Sequence, residues 1–90
     1  MAARAEMGAF ELSGAGGQGL SSDALFDLGL KYSTGRDVPS DMIAAHKWFN
    51  LAALRGNQAA KTYRSELASE MSKLEIAEAQ RLAREWLQHH

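Results

Sequence analysis

The stretch "AAHKWFNLAALRGN", residues 44–57, decides which fold this chain adopts. It places two large aromatic side chains, Trp48 and Phe49, next to each other in a segment whose other apolar residues are mostly alanines. Together with Ala45 and Ala52, they follow the i, i+3, i+4, i+7 spacing of one helix face. Small residues on that face let two helix backbones approach closely, and a large ring fills the space that remains. The stretch therefore predicts a helix packed tightly against its neighbours.

The same helical pattern continues on both sides of this stretch. Apolar spacing and capping residues predict four helices. The first covers about residues 23–33, and the second follows a cap at residue 40 or 41 and ends at about residue 55. The third covers about residues 58–71, and the fourth follows a cap at residue 72 and ends at about residue 88. The predicted N-caps are Ser22, Ser40 or Asp41, Asn57, and Ser72 in a capping box with Glu75. Gly35, Pro39 and Gly56 are the predicted helix stops. Short loops make consecutive helices antiparallel, so we predict an all-α domain.

The spacing also predicts which side chains face inward. These are Leu25, Leu28, Gly29 and Tyr32 in the first helix, Ala60, Tyr63, Leu67 and Met71 in the third, and Ile76, Ala79, Leu82, Ala83, Trp86 and Leu87 in the fourth. Burying one indole contributes a few kcal/mol, on the order of that from any large aromatic side chain. The two tryptophans are therefore expected to stabilise a domain as small as this one substantially.

Composition limits the classes of function. Ninety residues suffice for one small domain, and a formal net charge of −1 gives no basic field to attract nucleic acid or anionic lipid. The chain has no cysteine, which excludes disulfides, thiol nucleophiles and thiolate metal ligands. A core of this size is marginal, so a partner or self-association is expected to add stability.

Residues 1–21 differ in composition from the rest, because they hold five of the eight glycines. We predict a flexible tail there and a helical domain over residues 22–90. Phe10 is the aromatic residue with which this tail could dock on a partner. Glu6 and Glu11 interrupt the apolar run that an export signal needs, and no segment is long and apolar enough to span a bilayer. We therefore expect a cytoplasmic protein that reaches a membrane only through a partner complex.

An internal repeat is visible in the sequence. Ala24 and Ala60 begin equivalent helices at an offset of 36 residues, whereas "AHKWF" at 45–49 and "AREWL" at 83–87 match at an offset of 38. The chain therefore consists of one helix pair followed by a second, related helix pair.

The first pair resembles a Sel-one-like repeat, the helix-turn-helix relative of the tetratricopeptide repeat. The matching residues are Ala24, Leu28, Gly29, Tyr32, Gly35, Val38, Asp41, Ala45, Trp48, Phe49, Ala52, Ala53, Gly56 and Asn57. In the second pair, Arg64 and Ser65 replace the Leu-Gly step, and the loop "GRDVPSD" has no counterpart. The resemblance implies an α-α superhelix whose second pair is a degenerate C-terminal cap.

The resemblance implies a non-catalytic scaffold that binds another protein, as an adaptor or as a small accessory subunit of a larger complex, often in bacteria. If the first helix of each pair lines a concave surface, the candidate contacts are Phe26, Lys31, Lys61 and Arg64, with Phe10 added from the tail. The resemblance implies no catalytic residue and no cofactor.

Two other classes of function leave weaker signals. His46, His89 and His90 have no second ligand at a useful helical spacing, so we predict neither a metal site nor a cofactor site. A nucleic-acid-binding helix-turn-helix is the alternative reading, because Ala52 and Gly56 have the spacing of its first helix and turn. However, the apolar position expected in its second helix falls on Thr62.

Overall fold

A computed structural model describes residues 20–89 of the chain. They form four helices: α1 Ser22–Thr34, α2 Met42–Leu54, α3 Gln58–Ala68 and α4 Lys73–His89. All regular secondary structure in this range is helical, which confirms the predicted all-α class. Helix α3 ends three residues before the predicted end, so Met71 lies in the α3–α4 turn instead of on the inward face of the helix.

Most of the predicted caps are confirmed. The side chains of Asp41 and Asn57 accept hydrogen bonds from backbone amides of α2 and α3. Ser72 and Glu75 form the reciprocal capping box, with Ser72 N donating to Glu75 Oε1 at 2.9 Å and Glu75 N donating to Ser72 Oγ at 3.1 Å. The predicted cap of α1 is wrong by one residue, because Ser21 has the extended backbone that a cap requires and its Oγ accepts from Ala24 N.

The beginning of α1 is attached to the α2–α3 turn. A guanidinium nitrogen of Arg55 donates to the carbonyl oxygen of Leu20 at 2.8 Å, and Asn57 Nδ2 donates to Asp23 Oδ1 at 3.1 Å. Leu20 itself packs against the core. Leu20 therefore belongs to the packed part of the described structure.

Helix α2 is the centre of the structure. It makes close contacts with each of the other three helices along its length, most closely with α1. Its buried side chains include Ala45, Phe49, Leu51 and Ala52, each 1% exposed or less. The alanines of α2 let neighbouring helices approach its backbone closely.

Phe49 is the central side chain of the α1–α2 contact, and its ring lies directly against the backbone of α1 at Gly29. A Cβ atom at Gly29 would come within 2.5 Å of Phe49 Cε1, closer than real contacts allow. Gly29 therefore leaves the space on the inward face of α1 that the Phe49 ring occupies.

The two indoles join α2 to α4. The ring of Trp86 meets that of Trp48 edge-on, with centroids 5.8 Å apart and planes at 80°. Trp86 is 9% exposed, whereas Trp48 is only half-buried. The sequence places Trp48 and Phe49 on the same inward face of α2, and Phe49 is the more deeply buried of the two.

Helices α3 and α4 are a looser pair than α1 and α2. Each packs closely on α2, but within the described residues the two approach each other far less. The second pair also lacks the matching residues of the first. Arg64 and Ser65 stand where α1 has Leu28 and Gly29, and Leu87 stands where α2 has Phe49.

We predict that Gly29→Ala destabilises the protein by about 1–3 kcal/mol, because the added methyl group overlaps the Phe49 ring. The sign is informative, since alanine inside a helix is otherwise about 0.5–1 kcal/mol more favourable than glycine. Urea unfolding followed by circular dichroism measures the change. In a Phe49→Leu background, the same substitution should cost much less. A Gly29→Ala protein that is more stable than the parent would refute the close contact.

Candidate functional site

A small depression lies between α1 and α3, and α2 forms its floor. It encloses about 150 Å³ and is lined by Ser33, Phe49, Tyr63, Glu66, Leu67 and Glu70. We call it the α1–α3 groove. Helix α1 contributes Ser33 to the lining, and α3 contributes Tyr63, Glu66 and Leu67. Its size suits one or two inserted side chains rather than a long peptide.

Three aromatic rings, one from each of α1, α2 and α3, pack against one another beside the groove, and two of them, Phe49 and Tyr63, line it. The centroid of Tyr63 is 5.1 Å from that of Phe26, with the planes at 86°, and 5.5 Å from that of Phe49. Phe26 and Phe49 are 5.7 Å apart. These are favourable aromatic separations, so the rings hold one another in place. Tyr63 remains 43% exposed and presents a fixed aromatic surface to the solvent.

Two carboxylates form the other side of the groove. Glu66 and Glu70 are four residues apart, Glu66 in the last turn of α3 and Glu70 just beyond the helix end. Within residues 20–89, neither forms an ion pair with a cation. The groove therefore combines an aromatic and aliphatic base with an uncompensated negative side.

The candidate contacts predicted from the sequence are only partly gathered at this groove. Phe26 belongs to the ring cluster, half-buried beside Tyr63. Arg64 points to α2, where its guanidinium donates to Asn50 Oδ1 at 2.6 Å. Lys31 is half-buried on α1 and Lys61 is exposed on α3, but neither lines the groove. Phe10 lies outside the described residues.

Sequence reasoning missed the acidic side of the groove and misjudged Tyr63. Tyr63 was expected to face inward, yet 43% of its surface is exposed, and Leu87, expected on the inward face of α4, is 45% exposed. Both residues lie in the second unit, where the helices pack loosely. The available signal was the spacing of Glu66, which follows Tyr63 by three residues and so shares its helix face.

A second depression lies between α2 and α4, but its lysine already lies near an aromatic ring and a carboxylate. It encloses about 180 Å³ and is lined by Lys47, Leu82, Glu85, Trp86 and His89. Lys47 Nζ lies 4.2 Å from the Trp48 ring centroid, a cation–π distance. Burial lowers the pKa of the Lys47 ammonium, and the carboxylate of Glu85 opposes that shift. We regard this depression as part of the α2–α4 packing.

His46 is the one buried titratable side chain of the described core, at 3% exposure. Its Nδ1 atom has no hydrogen-bond partner within the described residues. Burial lowers the pKa of the imidazole, and the positive charge of Arg64 lowers it further, with a smaller opposing effect from a backbone hydrogen bond. The folded protein therefore favours the neutral imidazole.

The residues from 20 to 89 contain no cluster of three or more histidine, cysteine or acidic side chains that could hold a metal ion. In the same range, no helix combines the length and the apolar character needed to cross a lipid bilayer.

Comparisons with protein-family models, with curated proteins and with solved structures found no match for this chain.

We predict that the protein loses stability as the pH falls below about 6.5, the ordinary pKa of histidine. The folded state holds the pKa of His46 below that of the unfolded chain, so the unfolded chain binds the extra proton first and is stabilised by it. Urea midpoints at pH 7.5 and 5.5 measure the effect.

Two substitutions make this test specific. His46→Leu should flatten the pH dependence in that interval, whereas His89→Gln, at an exposed position on α4, should leave it unchanged. Equal pH dependence in the parent and in His46→Leu would show that His46 is not the responsible group.

Proposed function

We propose that this protein is a non-catalytic protein–protein interaction module, and that it binds its partner through the α1–α3 groove. The observation that carries the proposal is the position of Tyr63. Its ring is held by two other rings at the base of an open depression, and almost half of its surface is exposed. Rigid, half-exposed aromatic side chains of this kind are over-represented among the residues that dominate binding energy.

The resemblance to Sel-one-like repeats supports the same proposal. The inward positions of its pattern include Gly29 and Phe49, which are in direct contact, and Ala45 and Ala52, which are fully buried. A chain that keeps these packing positions is suited to present a surface. We propose that it acts as an adaptor or accessory subunit, in the cytoplasm or at a membrane complex that it reaches through its partner.

Other exposed apolar side chains favour the accessory-subunit form of the proposal. Leu54 is 65% exposed at the end of α2, and Met42 is 36% exposed at its start. These residues lie outside the groove, so they offer further contact area to a large partner or to a second copy of the chain.

The alternative, a nucleic-acid-binding helix-turn-helix, has less support. Helix α3 would be its recognition helix, yet Arg64 is engaged with Asn50, and Glu66 and Glu70 would repel phosphates from the end of the helix. Lys61 is the remaining basic residue of α3. One exposed lysine beside two glutamates does not supply the positive surface that duplex binding requires.

The test is affinity purification of the tagged full chain from its native source, comparing Tyr63→Ala with the control Leu74→Ala. We expect the parent and Leu74→Ala to retain the same co-purifying protein and Tyr63→Ala to lose it. Truncating an aromatic hot spot costs about 2 kcal/mol or more, roughly a 30-fold loss of affinity. Titration of the purified partner against the three proteins then gives the dissociation constants.

Circular dichroism of both variants provides the folding control, because Tyr63 and Leu74 are each partly or largely exposed. The proposal fails if Tyr63→Ala binds as the parent does, or if the parent retains no protein under gentle conditions. Salt-sensitive binding to duplex DNA by the parent would instead favour the helix-turn-helix.

A further inference from the structure

We infer that the partner of the α1–α3 groove presents a basic segment, with a lysine or arginine next to an apolar side chain. This inference rests on the proposed function and adds the chemistry of the partner. It is carried by the charge of the groove, which differs from the nearly neutral charge of the chain as a whole.

The end of α3 is electrostatically unfavourable in isolation. The carbonyl end of a helix carries a partial negative charge, which basic residues in the last turn normally offset. Helix α3 has no basic residue in its last turn and instead has Glu66 there, with Glu70 following it. The two carboxylates, four residues apart, also repel each other. A cation placed here would weaken the repulsion between the two carboxylates and their repulsion by the carbonyl end of α3.

The first unit has a basic residue at the corresponding end of its first helix. The last turn of α1 contains Lys31, which has the charge that suits a helix C-terminus. The negative charge that remains at the groove is therefore that of α3, concentrated where Glu66 and Glu70 line the depression beside Tyr63 and Leu67.

The rest of the lining suits the stem of a long basic side chain. Lysine and arginine bury their methylene groups along apolar surface while the charged end stays at a polar edge. The exposed ring of Tyr63 and the side chain of Leu67 offer that surface, and the two carboxylates lie beside it. A guanidinium can also pair with a carboxylate through two hydrogen bonds and stack on a tyrosine ring.

The chain's own N-terminal residues do not have the matching charge. Among residues 1–19, Arg4 is the one basic residue, and Glu6 and Glu11 outnumber it. A separate basic segment therefore complements the groove better than residues 1–19 do.

The test uses short synthetic peptides of equal length, titrated into the ¹⁵N-labelled full chain and followed by nuclear magnetic resonance. One peptide has arginines around a phenylalanine, a second has glutamates in place of the arginines, and a third has serine in place of the phenylalanine. We expect the arginine–phenylalanine peptide to bind most tightly and to shift the amide signals of Tyr63, Leu67 and Glu70. Higher salt should weaken this binding.

The decisive variant is Glu66→Gln/Glu70→Gln, which removes both charges and keeps the side-chain shape. Its affinity for the arginine–phenylalanine peptide should fall by about three- to tenfold, as expected for two solvent-exposed ion pairs. The control is Glu78→Gln/Glu85→Gln, which changes the net charge equally but acts on α4, where both glutamates lie near Arg81. The control should bind as the parent does.

Several outcomes would overturn the inference. These are equal or tighter binding of the glutamate peptide, an unchanged affinity of Glu66→Gln/Glu70→Gln, or shifts confined to the α2–α4 side. Groove signals that change with protein concentration alone would show that a second copy is the occupant. If the amide signals of groove residues differ between the parent and Phe10→Ser in the absence of peptide, residues 1–19 are the occupant of the groove.

Failure here is separable from failure of the proposed function. If Tyr63→Ala loses the native partner while the peptides show no charge preference, the groove is still the binding site, and only the basic chemistry is refuted. If Tyr63→Ala retains the native partner, the proposed function is refuted whatever the peptides do.

Discussion

The contact between the Phe49 ring and the backbone at Gly29 is the constraint on which the rest of this structure depends. It sets how closely α1 approaches α2, because no side chain separates the two at that point. The position of Phe49 then fixes the other two rings, since Phe26 and Tyr63 both pack against it. A residue without a side chain in one helix therefore determines where the third helix presents its aromatic surface.

The four helices were predictable because their determinants are local. Apolar spacing, the caps at Asp41 and Asn57 and the capping box at Ser72 depend only on neighbouring residues, and the structure contains all of them. The choice of Ser21 over Ser22 as the first cap was not predictable, because two adjacent serines give the same local signal. That choice depends on the chain entering α1 in an extended conformation.

The candidate site was harder to predict, because it depends on contacts between units. Periodicity placed Tyr63 on an inward face but could not show that it would remain 43% exposed beside Phe26 and Phe49. Arg64 looked like a surface contact, yet a hydrogen bond to Asn50 on another helix occupies it. In the sequence, Glu66 and Glu70 look like ordinary solvated residues. The structure shows that they line the same depression as Phe49 and Tyr63. Charge and spacing along one helix do not reveal what the neighbouring helix contributes.

The central position of α2 also has a consequence for the order in which the structure opens. Helices α3 and α4 are each held mainly by α2, so either can detach in a local unfolding event while α1 and α2 stay together. The wall of the groove formed by α3 then belongs to a less stable part of the molecule than the wall formed by α1. A ligand that bridges the two walls adds to the Phe26–Tyr63 contact that already joins them, and part of its binding energy stabilises α3 against detachment. Slower amide hydrogen exchange throughout α3 is the physical signature of that coupling.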